Sequence, residues 1–280
     1  MGNDKLQTDS ILQFNTHLKQ QEKSPATIEK YLRDVRKFFS FLKGRTIDKM
    51  LAIEYKESLR QEYAIVSANS MIASLNSFFR FLGLSECCIR QFKVQRQTYC
   101  SKEKELTKEE YVRLVKAAHA KGSERLSLLI ETICGTGIRV SELQYITAEA
   151  VKCGESTVNC KGKTRTVFIP VRLQKKLHRY AVKQKITEGA LFITRTGNPL
   201  NRCNIWKEMK SLCELAGVAS SKVFPHNLRH LFARVFYGIE RDIVKLADIL
   251  GHSSINTTRI YIVTTGEEHR RKIDAMHLIL

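Results

Sequence analysis

Apolar residues recur at three- and four-residue spacing along much of the chain, and where that period lapses a glycine or a polar run takes its place. In SPATIEKYLRDVRKFFSFLKG the positions Ile28, Tyr31, Leu32, Val35, Phe38, Phe39 and Leu42 form one stripe, the signature of a helix buried along one face. Ser24 is placed as its N-cap, Pro25 takes the first helical position, where no N–H is needed, and Gly44 ends it. A second helix, SANSMIASLNSFFRFLG, closes on FFRFLG much as the first closes on FFSFLK. Two helices of one small bundle, each burying its aromatic end, are expected.

Between Lys93 and Glu105 the phrase KVQRQTYCSKEKE has no apolar period, which marks a boundary. The expected layout is a helical domain over 1–95, a linker over 96–105 and a larger domain over 106–280. In LTKEEY, Thr107 and Glu110 have the spacing of a capping box, with Leu106 and Tyr111 at the staple positions. The helix RLSLLIETIC is expected to stop at the turn Gly135-Thr136-Gly137. STVNC and RTVFIP flank KGKT as strand, turn and strand, and LFIT reads as a further short strand before the turn RTGNPL. From Asn201 onward the pattern is mostly helical, with breaks at Gly217, Pro225, Gly238 and Gly251. The fold class is therefore mainly α: a small all-helical domain beside a larger α+β domain with a short antiparallel sheet.

Composition narrows the function. With 280 residues, 43% hydrophobic, the chain has material for a real core. Its apolar runs are too short for a bilayer and the start MGNDKLQTDS has no apolar leader segment, so a cytoplasmic protein without membrane attachment is expected. The eight cysteines fall singly except for Cys87-Cys88, with no C-x-x-C to seed a metal site. Reduced thiols, no metal and no cofactor are the expectation. Charge says more: 47 Lys and Arg against 28 Asp and Glu give +19, and residues 1–100 hold 16 of the basic and 10 of the acidic side chains. Both parts are basic, and such an excess favours a polyanion through release of its condensed counterions.

Several fragments bear candidate chemistry. In FPHNLRHLFARVF a helix starting near His226 puts His226, Arg229 and His230 on one face, a ready site for an anionic oxygen. In GTGIRVSEL, Arg139 follows a glycine turn at a helix start, where backbone N–H groups also favour anions. A surface arginine paired with Glu142 is the alternative there. Lys161 lies in the hairpin turn of NCKGKTR, as a cleft residue or a solvated one. In LGHSSINTTRIY a histidine, His252, follows a helix-ending glycine, and Tyr261 comes nine residues later. Read alone, that tyrosine fits a core as well as an active site.

In combination and in this order, TGIRVSEL, the KGK hairpin, HNLRH, LGH and the following tyrosine closely resemble the tyrosine recombinases, or phage integrase family, especially its short Xer-type members. The resemblance spans nearly the whole chain. It implies a SAM-like core-binding domain containing SPATIEKYLRDVRKFFSFL and a catalytic domain from about residue 104. Tyr261 would be the nucleophile, Arg139 and Arg229 would clamp the scissile phosphate, and His226 and His252 would bond its oxygens or handle protons. Lys161 would be the general acid on the leaving 5′ oxygen, with His230 a structural support. Ile262 and Val263 stand where Xer-type members often have Thr-His, and Cys160 stands where glycine is common.

The implied reaction joins DNA strands through a 3′-phosphotyrosine. It suits a chain with neither a paired acidic cluster for two metal ions nor a G-x-x-x-x-G-K-[ST] loop. The implied partners are double-stranded DNA with a specific site and a homo-tetramer on synapsed DNA. Groove and phosphate contacts are expected from Lys30, Arg33 and Lys37, then from Asn69, Asn76 and Arg80 along the outer face of the second helix. The tail GEEHRRKIDAMHLIL reads as an amphipathic helix that docks either on a neighbouring protomer or on its own domain. With core-binding helices beginning in the first two dozen residues, no arm-binding domain is expected. A type IB topoisomerase and a catalytically silent DNA-binding regulator remain the alternatives, and the choice among integration, excision and resolution stays open.

Overall fold

The computed structural model describes residues 2–94, 105–160, 163–194, 196–262, 270 and 274–276. The chain divides into two compact units, Met1–Arg96 and Gln97–Leu280.

The first unit is a helical bundle: α1 (Gly2–Gln20), α2 (Pro25–Leu42), α3 (Lys49–Glu62) and α4 (Ile65–Phe81). Ser24 caps α2 by accepting from the backbone N–H of Thr27 at 3.3 Å. The two aromatic phrases meet in the core. Phe38 lies edge-on to Phe79 at 5.5 Å and Phe39 edge-on to Phe78 at 5.6 Å, arrangements that add about 0.5–1.5 kcal/mol each beyond area burial. Below them α2 and α4 share a buried polar contact, where the Asp34 carboxylate accepts from Lys30 Nζ at 2.7 Å and from Ser74 Oγ at 2.8 Å.

This packing redirects most of the side chains expected on DNA. Lys30 uses all three N–H donors internally, on Asp34, the Ser70 carbonyl and Ser74. Lys37 pairs with Glu62 at 2.6 Å and with the Tyr63 hydroxyl. Asn69 and Asn76 each hold a backbone N–H and carbonyl of the segment crossing α4, at Phe92 and Ile89 respectively. They are clamps for that segment rather than an open outer face. Arg33 and Arg80 stay exposed.

In the second unit α5 (Lys108–Ala120) begins with the expected capping box: Thr107 Oγ1 accepts from Glu110 N, and Glu110 Oε2 accepts from Thr107 N. α6 (Glu124–Thr136) is the central helix, packed on α5, on α8 (Val171–Lys183) and on α11 (Pro225–Glu240). It continues through Gly135; only Gly137, at φ +65°, takes the left-handed turn. A 3-10 segment, Val140–Tyr145, and the short α7 (Ala148–Cys153) lead into a two-stranded sheet. Its strands β1 (Glu155–Cys160) and β2 (Lys163–Phe168) pair antiparallel from Glu155↔Phe168 to Cys160↔Lys163. Lys161, at their connection, lies outside the described residues.

LFIT does not form a strand. Leu191 and Phe192 are buried in the core, while the stretch makes only isolated bridges, Thr147↔Ala190 and Ile193↔Pro199. The returning partner is a proline, which has no N–H to extend a ladder. α9 (Arg202–Lys210), α10 (Cys213–Ala216), α11, α12 (Ile243–Leu250) and α13 (Ile255–Arg259) complete the unit. Of the tail, Arg270 and residues 274–276 are described and exposed; Ile273, Ile279 and Leu280 lie outside the described residues. No described helix is long and apolar enough to cross a membrane.

Candidate active site

α11 opens with Pro225 at its first turn and turns Leu228 and Leu231 into the core. Arg229 points the other way yet is only 1% exposed. Its guanidinium is held by the Gly137 carbonyl, by the Leu250 carbonyl at 2.6 Å and by His252 Nε2 at 3.0 Å. Burial and the neighbouring charge of Arg139 bring its pKa down to about 10, so it remains a cation at neutral pH.

Leu250 is the middle of three consecutive carbonyls that each accept from a different arginine. Ile249 O takes Arg165 Nη1 at 2.8 Å, Leu250 O takes Arg229, and Gly251 O takes Arg139 Nη2 at 3.0 Å. These carbonyls close α12, where helical oxygens lack partners and the helix dipole is negative. Gly251 is required at this turn. Its φ is +64°, and a Cβ there would lie 2.3 Å from Cδ of Arg165.

Arg139 and Arg165 also share one carboxylate. Glu142 Oε1 accepts from Arg139 Nη1 at 2.8 Å, and Oε2 accepts from Arg165 Nη2 at 2.7 Å and from the Arg139 backbone N–H at 2.9 Å. Burial alone would raise the pKa of this nearly enclosed side chain, but these bonds and the two guanidinium charges hold it below the usual range. The backbone N–H expected to favour an external anion at Arg139 is therefore already taken by Glu142. Arg139, Arg165 and Arg229 set three positive charges against the one carboxylate of Glu142, which leaves a net positive charge at the site.

His252 is fixed in one tautomer. Arg229 donates to its Nε2, so Nε2 is unprotonated and Nδ1 carries the hydrogen, which goes to Thr258 Oγ1 at 2.9 Å. Burial and the charges of Arg229, Arg139 and Arg165 push its pKa down to about 4, in keeping with that neutral form. Thr258 is on α13, and its carbonyl accepts from the N–H of Tyr261 at 2.9 Å.

Tyr261 is 6% exposed and packed among three imidazoles. His230 stacks on it, with centroids 4.1 Å apart and planes 16° off parallel; His226 and His252 lie 5.3 and 5.1 Å away. Its hydroxyl is 3.5 Å from Nε2 of His226. Partial burial and the charges of Arg229, Arg202 and Arg139 depress the pKa of His226, so its ring is neutral near pH 7. Arg139, His226, Arg229 and Tyr261 line one cleft of about 750 Å³, as do Arg202, Trp206 and Lys207 of α9.

Comparison with known proteins places this arrangement. The sequence profile of the phage integrase family matches residues 104–268, and that of the phage integrase N-terminal SAM-like domain matches residues 11–85. The chain belongs to the phage integrase family, the tyrosine recombinases. Tyrosine recombinase XerA of Thermococcus kodakarensis is 31% identical, covering 96% of this chain and 95% of its own. XerA of Pyrococcus furiosus is 28% identical over 98% and 96%. Among solved structures, a lambda integrase (75–356) dimer bound to a COC′ core site has the same fold, with a TM-score of 0.74 at 17% identity over 92% of this chain and 96% of that one. XerH bound to its difH substrate gives 0.68 at 20% identity over 92% and 84%.

Of the residues expected in this tyrosine recombinase site, Arg139, His226, Arg229, His252 and Tyr261 converge, from elements up to 122 positions apart in sequence. His230, expected as a structural support, stacks on the Tyr261 ring. Sequence reasoning did not single out Arg165 or Thr258, and it took Glu142 only as a surface partner for Arg139. Their signals are faint: a strand arginine and a helical threonine are both ordinary on a solvated face. The basic and aromatic side chains of α9 were likewise unmarked, although Arg202 and Trp206 share one helical face by spacing.

Proposed function

We propose that this protein is a site-specific DNA recombinase that cleaves and rejoins strands through Tyr261. The observation that supports this most directly is the tyrosine hydroxyl within 3.5 Å of a neutral histidine, in a cleft also lined by Arg139 and Arg229. A phosphodiester repels nucleophiles, and attack at phosphorus loads further charge on the non-bridging oxygens. Arg139 and Arg229 stabilise that charge without a metal ion. Tyr261 Oη forms a bond to phosphorus, its proton passes to His226 Nε2, and the bond to the 5′ oxygen breaks. Lys161 supplies the proton for that oxygen. The bond energy is retained in the 3′-phosphotyrosine, so a second 5′ hydroxyl can reverse the step on a different strand.

The relatives support the same substrate and assembly. XerH is known bound to difH before and after cleavage, and lambda integrase as a tetramer on a Holliday junction. For this chain we infer double-stranded DNA bound by both basic units, Arg33 and Arg80 among the first unit's contacts, and a tetramer on synapsed sites. The tail from about residue 266 docks on a neighbouring protomer in that assembly. Deleting residues 268–280 then weakens synapsis but spares single-site binding, and unchanged tetramer formation refutes the docking.

The deciding experiment incubates the protein with nicked suicide duplexes tiled across the DNA around its gene. A covalent adduct on one duplex, lost in Tyr261→Phe, is the expected result. No adduct on any duplex, or an undiminished one from the variant, overturns the reading. Relaxation of plasmids lacking any such duplex sequence replaces it with a topoisomerase.

A further inference from the structure

Guanidinium and carboxylate pair best as two parallel forks, with both nitrogens on both oxygens. Arg139 does not achieve this with Glu142, although only two residues separate them. It reaches Oε1 alone, because Oε2 already accepts from Arg165 Nη2 and from Arg139's own backbone N–H. The second nitrogen of Arg139 turns instead to the Gly251 carbonyl, and the side chain remains about one-third exposed on the cleft, at 32%. Arg165 itself is 12% exposed and does not line the cleft. Its contacts with the site, among the described residues, run through Glu142, the Ile249 carbonyl and the chain at Gly251.

We propose that Arg165 is a positioning residue whose occupation of Glu142 keeps Arg139 turned toward the scissile phosphate. Without it, Oε2 is open to a second prong of Arg139, and the forked pair withdraws donors from the substrate. Arg165 also anchors the Ile249 carbonyl, which fixes the next two carbonyls, where Arg229 and Arg139 rest. Its action is thus on the phosphate clamp and not on the proton given to the leaving group. This role rests on the reading of Tyr261 and Arg139 in the proposed function.

A merely structural contribution and a clamp contribution separate by substrate chemistry. The full chain and its Arg165→Met variant, which keeps an apolar stem under Gly251, are compared on three nicked suicide duplexes. One has the natural phosphate. One has a methylphosphonate at the scissile position, whose neutral oxygen replacement removes the charge the arginines serve. One has a 5′-bridging phosphorothiolate, whose thiolate leaves without a proton.

The expected result is a loss of roughly 100-fold in the rate of adduct formation on the natural duplex, persisting on the phosphorothiolate and shrinking to a few-fold on the methylphosphonate. Arg165→Lys, which keeps a cation against Glu142, recovers part of the rate and bears the same test if the Met variant does not fold. Equal losses on all three duplexes, or rescue by the phosphorothiolate alone, overturn the proposal; the latter assigns Arg165 to the Lys161 hairpin. A wild type that forms no adduct on any of the three overturns the reading of Tyr261, and this role with it.

Discussion

Thr258 Oγ1 accepts the Nδ1 hydrogen of His252 at 2.9 Å, from the helical turn that leads to Tyr261. The tautomer of the histidine and the placement of the tyrosine segment are therefore linked by one hydroxyl. Thr258→Val keeps the shape and removes the acceptor. Leaving that donor unpaired costs about 1–3 kcal/mol, so a drop of several degrees in Tm is expected. Arg229 still donates to Nε2, so nitrogen-15 NMR of the imidazole should show the same tautomer with a shifted Nδ1 resonance, and adduct formation should slow. A variant with the wild-type Nδ1 shift and rate would separate Thr258 from the site.

The histidines set a pH dependence. His230 and His252 are both brought down to about 4, by burial first and then by neighbouring positive groups. Between that value and the unfolded value of about 6.5 the unfolded chain binds more protons, so stability rises with pH across the window. Tm should be level above pH 7 and fall from pH 6.5 toward 4. Glu142, also depressed, adds its own loss only below its unfolded value near 4.5. His230→Phe keeps a ring against Tyr261 without a titrating group, and its Tm should fall less between pH 7 and pH 5. An unaltered slope would place the dependence elsewhere.

At Gly251 an alanine meets both a left-handed backbone and the Arg165 side chain. The backbone strain alone costs about 1–2 kcal/mol. Gly251→Ala should lower Tm and slow cleavage, and combining it with Arg165→Met should cost less than the two separately, because Met can bend away from the new methyl. Strictly additive losses in the double-mutant cycle would show that the two side chains do not compete for space.

In the first unit, stability and DNA affinity should divide by residue. Arg33→Ala and Arg80→Ala should leave Tm unchanged, weaken DNA binding and reduce the salt slope of log K by about one each. Lys30→Met should do the reverse, since it strips the buried Asp34 of a charged hydrogen bond worth about 2 kcal/mol. Denaturant unfolding and binding titrations at several salt concentrations check both.

Local signals carried much of this fold. The cap at Ser24, the box at Thr107 and Glu110 and the hairpin across residues 155–168 each depend on neighbours a few positions apart, and all are present. The paired aromatic phrases also met as their shared pattern implied. α1 was harder to see, because Phe14 and Leu18 are its only fully buried residues among those described, too few to draw a stripe. α3 does carry one, at Leu51, Ala52, Tyr55 and Leu59 behind the cap Asp48. In the site, residue types and order pointed to Arg139, His226, Arg229, His252 and Tyr261. Arg165 was hidden for a physical reason: it sits in the alternation Thr-Arg-Thr, where an arginine reads as solvent-facing, and its partners are 23 and 84 residues away. The internal use of Lys30, Lys37, Asn69 and Asn76 was hidden likewise, since periodicity gives a face but not what covers it.

The three carbonyls from Ile249 to Gly251 act as a ruler made of main chain. Arginines from the cap of a 3-10 segment, a strand and a helix are spaced by the peptide repeat itself rather than by their own neighbours. Side-chain changes at Ile249 or Leu250 leave the marks of that ruler in place. A single inserted residue moves every mark at once, so the length of this turn constrains the site more tightly than its composition does.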